Sequence, residues 1–73
     1  MFSEKLKELR TEKGIPQKKL APLIGYGQQT ISDWEKGLKE PTANAIIACA
    51  KFFDVTTDYL LGLENEDGSK KTL

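Results

Sequence analysis

Gly25-Tyr26-Gly27-Gln28-Gln29-Thr30-Ile31-Ser32-Asp33-Trp34-Glu35-Lys36-Gly37 is the stretch on which the reading of this chain turns. Glycine opens it at 25 and 27 and closes it at 37, and between them the spacing predicts one short helix from Gln28 to Lys36. Ile31 and Trp34, three apart, share one face, while Gln28, Gln29, Ser32, Asp33 and Lys36 fall on the other. The outward stripe is thus rich in amide and hydroxyl groups. A merely solvated face carries more Lys and Glu, whereas neutral donors and acceptors suit the reading of hydrogen-bonding edges on another molecule.

Upstream, Gly25-Tyr26-Gly27 forms a tight connector, and a second helix begins at Ile15-Pro16-Gln17 and runs to Ile24. Leu20, Leu23 and Ile24 are its expected buried stripe. Pro22 removes a backbone donor inside it, so a kink or an early finish is expected there. Before it, Ser3 is positioned to cap a first helix reaching about Lys13, with Phe2, Leu6 and Leu9 facing inward, Gly14 as a left-handed stop and Ile15 folding back on the last turn. Downstream, Thr42 caps a fourth helix whose Ala45, Ile46, Cys49, Ala50 and Phe53 form a wide apolar stripe, making it the central core helix. Thr56 caps a short fifth helix carrying Tyr59, Leu60 and Leu61, ended by Gly62. No β pattern and no internal repeat is visible. The expected organisation is an all-α, compact five-helix domain over residues 1–62, followed by a polar, disordered tail over 63–73.

Composition narrows the function. One domain is all that 73 residues allow, and no apolar run approaches the ~20 residues of a membrane span. The charged N-terminus lacks the apolar core of a secretory signal, so the expected location is cytoplasmic. A single cysteine, Cys49, excludes an intrachain disulfide and reads as a small buried hydrophobe. With no histidine and only three serines, no nucleophile and base can be assembled; no enzyme, metal site, cofactor or small-molecule ligand is expected. Net charge is zero, with 11 basic and 11 acidic residues. Residues 1–41 carry an excess of two basic groups and residues 42–73 the reverse, so a polyanionic partner would have to be held by a few well-placed contacts.

Two short helices joined by a glycine-bearing turn, the second with an exposed hydrogen-bonding stripe, form the helix-turn-helix arrangement. From about Leu6 to Leu61, the pieces KLKELRTEKGIPQKKLA, IGYGQQTISDWEKG and EPTANAIIACAKFFDVTTDYLL resemble the DNA-binding domain of lambdoid phage repressors, Cro-type (Cro/CI-like) proteins and the XRE family of bacterial regulators. The resemblance implies a lambda-repressor-like fold and a sequence-specific regulator of transcription, a repressor that binds double-stranded DNA as a homodimer on a pseudo-palindromic operator. It implies base reading by Gln28, Gln29, Ser32 and Asp33, phosphate contacts by Gln17, Lys36 and Lys39, and a structural ion pair between Arg10 and Glu35. Trp34 belongs to the core rather than to an intercalating wedge. Dimerisation would use the surface near Leu60, Leu61 and Leu63. Four departures stand out: Gly27 where many relatives carry Ser or Thr, Asp33 where many carry Arg, Gln or Lys, Pro22 inside helix two, and a loop after Gly37 poorer in basic residues than in many relatives. Neutral charge and Asp33 favour the alternative, a protein-interaction module such as an antitoxin or anti-regulator on the same fold.

Overall fold

Helices of eight residues or so do not persist alone in water, and this chain contains two of them, so packing must hold what propensity cannot. The computed structural model describes residues 2–63. Among the described residues the chain forms α1 (Phe2–Glu12), α2 (Gln17–Ile24), α3 (Gln28–Glu35), α4 (Ala43–Phe53) and α5 (Thr57–Leu60), with no strand. This is the all-α, five-helix architecture expected from the sequence. The tail expected beyond residue 62 lies, apart from Leu63, outside the described residues.

The helix boundaries have identifiable causes. Thr42 Oγ1 accepts from Ala45 N–H at 3.2 Å, and Thr56 Oγ1 accepts from Tyr59 N–H at 3.0 Å, capping α4 and α5 as their sequences predict. The first helix differs at its start, because Ser3 lies inside α1 and not at its boundary. Phe2 explains this: its ring is 6% exposed and meets the Trp34 ring edge-on at 5.8 Å, which draws residue 2 into the helix. At the other end, Ile15 N–H reaches back to the Arg10 carbonyl at 3.0 Å over left-handed Gly14, the fold-back its sequence predicts.

Helix α2 runs through Pro22 to Ile24 without the early finish considered for it. Its buried residues are Leu20, Ala21 and Ile24, while Leu23 is 59% exposed. The expected stripe was therefore turned by one position. Small Ala21 faces inward and lets α2 approach its neighbours, and the longer Leu23 is left outside.

The core joins Leu6 and Leu9 of α1, Leu20 and Ile24 of α2, Ile31 and Trp34 of α3, Cys49 and Phe53 of α4, and Leu60 of α5. Trp34 is 3% exposed, with the Tyr26 ring edge-on at 5.1 Å. Lys5 Nζ lies 4.8 Å from the centre of the Tyr59 ring and ties α1 to α5. Cys49 is fully buried, and burial pushes its thiol up to about 11, so it behaves as the packing residue its sequence context indicates. Leu60 is also fully buried and belongs to this core, while Leu61 and Leu63 are half-buried.

Candidate nucleic-acid interface

Helix α3 is held at its apolar face by Ile31 and Trp34 and, in its C-terminal half, by polar networks on Asp33 and Glu35. Gly37, at φ 74°, reverses the chain after α3, and Leu38 N–H returns to the Asp33 carbonyl at 2.9 Å. That left-handed turn lays residues 38 and 39 back over the helix end. What remains outward on α3 is Gln28 and Gln29, both exposed, Ser32, half-buried, and Lys36, exposed.

Asp33 is placed differently from the outward stripe predicted for it. As a whole residue it is only 8% exposed. Its Oδ1 accepts from Gln29 Nε2 at 3.0 Å, and Lys39 Nζ stands 3.6 Å from its Oδ2. Helical spacing alone puts position 33 next to 29 on the solvent side. The fold-back after Gly37 covers it, and no periodicity within the helix contains that information.

Glu35 is the hub of the second network. Arg10 donates to it twice, from Nε to Oε2 at 2.7 Å and from Nη2 to Oε1 at 2.9 Å, while Nη1 donates to the Ile15 carbonyl at 3.0 Å. Gln17 Nε2 donates to Oε1 at 3.0 Å. The carboxylate holds the Arg10 guanidinium still more firmly protonated than usual, through hydrogen bonding first and charge second. One side chain thus fixes the end of α1, the first turn of α2 and the end of α3 relative to one another. Gln17, expected as a phosphate ligand, spends one amide proton on this hub and keeps its other donor and its carbonyl.

The helix N-termini differ in kind. Helices α1 and α5 carry an acid in the first turn, Glu4 and Asp58, and α4 and α5 have threonine caps. Helices α2 and α3 have neither: Pro16 and Gly27 precede them, no side chain caps either one, and no acid lies in either first turn. Their positive ends therefore carry no counter-charge from their own first turn. Lys18 and Lys19, exposed in the first turn of α2, add charge there. In the sequence they count only toward the basic excess of residues 1–41, and their place beside an uncapped helix start is the signal that singles them out.

Two short helices set by a shared carboxylate, the second with an exposed amide stripe, define a helix-turn-helix domain. A family model described as helix-turn-helix (HTH_3) matches residues 6–60, and the chain belongs to that family, whose members here are XRE-type regulators and phage repressors. It is 41% identical over 63 residues to the HTH-type transcriptional activator BcrR of Enterococcus faecalis, a match covering 86% of this chain and 31% of the relative. It is 38% identical over 55 residues to the cryptic phage CTXphi transcriptional repressor RstR of Vibrio cholerae, covering 75% of this chain and 50% of that one. The chain therefore spans half or less of the length of these two relatives. Among solved structures, the c2 repressor of Salmonella phage P22 in complex with a synthetic operator is similar with a TM-score of 0.77 and 28% identity, over 82% of this chain and 91% of that one.

Proposed function

We propose that this chain is the double-stranded-DNA-binding part of a transcription regulator, a repressor that acts as a homodimer on a pseudo-palindromic operator. The observation that carries the reading is the exposed amide stripe of α3, on a helix whose positive end is uncapped and whose orientation is locked by Glu35. Gln28 and Gln29 read base edges, each able to grip an adenine through one donor and one acceptor, and Ser32 adds a hydroxyl at the next turn. Gln17, Lys36 and Lys39 hold phosphates, helped by the two open helix starts. A two-fold dimer places its half-sites about 34 Å apart, one turn of DNA. Membership of a family of transcription regulators supports DNA as the target, and the operator-bound P22 repressor supports the repressor reading.

The test is selection from a random double-stranded library at physiological salt, with a Gln28→Ala, Gln29→Ala double variant run in parallel. A pseudo-palindromic motif that the variant loses or relaxes is the expected result. Affinity for that motif should fall with salt at a slope of about −0.9 for each phosphate contacted. Equal, motif-free binding by both proteins, or binding to a protein partner that salt leaves unchanged, would end this reading in favour of a protein-interaction module.

A further inference from the structure

Asp33 is nearly enclosed, yet its two oxygens face two side chains of the candidate interface: Gln29 at 3.0 Å and Lys39 at 3.6 Å. The contact with Gln29 carries directional information. A carboxylate only accepts hydrogen bonds, so the amide of Gln29 must turn its nitrogen toward Asp33 and cannot sit flipped. One N–H is consumed; one N–H and the carbonyl oxygen remain. Gln29 itself is exposed, so those remaining groups are open to a partner. An unconstrained glutamine can offer a base edge its oxygen, its nitrogen or both in either order, and it loses rotamer entropy when it settles. This one is already settled.

We propose, building on the DNA-binding reading above, that Asp33 is a positioning residue and reads no base itself. It fixes the Gln29 amide so that α3 presents one donor and one acceptor in a set order, the pattern that matches N7 and the N6 amine of adenine. Lys39 holds the carboxylate from the side of the fold-back loop, with its own side chain 69% exposed at the rim. Asp33 thereby acts on specificity at a single base pair, the one that Gln29 meets.

Two experiments test this. In the first, the side-chain amide of Gln29 is followed by nuclear magnetic resonance in the protein without DNA. One of its two Nε2 protons should exchange with water more slowly than the other, and Asp33→Asn, which keeps an acceptor oxygen in place, should preserve that slowing, which Asp33→Ala removes. Two equally fast-exchanging protons in the unsubstituted protein would overturn the proposal without any variant having to fold. In the second, libraries are selected with the unsubstituted protein, Asp33→Ala, Asp33→Asn, Gln29→Ala and the Asp33→Ala, Gln29→Ala pair. Asp33→Ala and Gln29→Ala should each lower the preference for adenine at the same base pair by about tenfold. The pair should do no more than Gln29→Ala alone, and Asp33→Asn should retain most of the preference. Loss of preference at a different base pair in Asp33→Ala, or additive losses in the pair, would make Asp33 a reader in its own right and end the proposal. A protected Gln29 amide with no motif selected by the unsubstituted protein would locate the failure in the DNA-binding reading and take the proposal down with it.

Discussion

Removing Arg10 should expose how much of this small domain hangs on one carboxylate. In Arg10→Ala, Glu35 loses both guanidinium bonds and keeps only the Gln17 amide, while the Ile15 carbonyl loses its Nη1 partner. The Glu35 side chain is 4% exposed and that of Arg10 16%, so water cannot fully replace what is taken away. Leaving an uncompensated, nearly buried charge costs about 3–5 kcal/mol, against a total stability that for a domain of this size lies near the lower end of about 5–15 kcal/mol. At about 4–8 °C per kcal/mol the midpoint of thermal unfolding should fall by at least ~12 °C. Glu35→Gln should cost less, about 1–2 kcal/mol, because the guanidinium is the more exposed partner and keeps the Ile15 carbonyl. Arg10→Met combined with Glu35→Leu should recover most of the loss, since an apolar pair leaves no stranded charge. Urea unfolding followed by Trp34 fluorescence measures all four proteins, the indole being 3% exposed and central. The cost of Arg10→Ala should also persist at roughly 1 M salt, where the screening length is about 3 Å. A loss below ~1 kcal/mol, or one that vanishes in salt, would show that the pair behaves as a surface ion pair and that Glu35 does not organise the domain.

Two further substitutions probe the fold in the same assay. Gly27 precedes α3 at φ −75°, ψ 154°, ordinary cap geometry, and a Cβ there would meet only Thr30 Oγ1 at 3.9 Å; Gly27→Ser should therefore stabilise by about 0.5–1 kcal/mol, and a loss of stability would refute the open-cap assignment. The Cys49 thiol, raised by burial from 9.0 to about 11, stays neutral in the fold while the unfolded thiol ionises, so the folded state binds the extra proton and stability falls as pH rises through that window. Measured against Cys49→Ala, the unsubstituted protein should lose up to about 3 kcal/mol more across it, and parallel pH profiles would show that burial does not hold the proton.

Much of this fold was legible because its signals are local. A threonine before an apolar run satisfies the first amides of α4 and α5, and a glycine after the last turn of α3 supplies the left-handed residue that ends it. Ile31 and Trp34 could be assigned to the core from spacing alone. What spacing could not show depends on chain that returns from elsewhere. Leu23 loses its place to Ala21 because of how closely neighbouring helices approach α2, and Asp33 is covered by residues 38 and 39 after Gly37 turns them back. Nothing in the local sequence joins Arg10 to Glu35, 25 positions away; only the resemblance to a family did, and no spacing rule would have added Gln17 as the third member.

Zero net charge then loses its force as an argument against a nucleic-acid partner, because charges that cancel in a count do not cancel in space. Both acids of α3 are engaged within the protein, Glu35 with Arg10 and Gln17, Asp33 with Gln29 and Lys39. The acids of α1 recur as Glu4, Glu8 and Glu12 on the side of that helix turned away from Phe2, Leu6 and Leu9, hence away from the core that α1 shares with α3. What the α2 and α3 end offers outward is Lys18, Lys19, Lys36, two open helix starts and neutral amides. Lys39 is loosely held: its pairing with Asp33 is long and exposed on the lysine side, worth less than about 1 kcal/mol, so in the proposed reading a phosphate would draw the ammonium away while Asp33 kept its bond to Gln29. Under the proposed DNA-binding reading, the residue that would hold phosphate, Lys39, and the one that would read a base, Gln29, share the Asp33 carboxylate but use different oxygens of it, so release of the first leaves the second oriented.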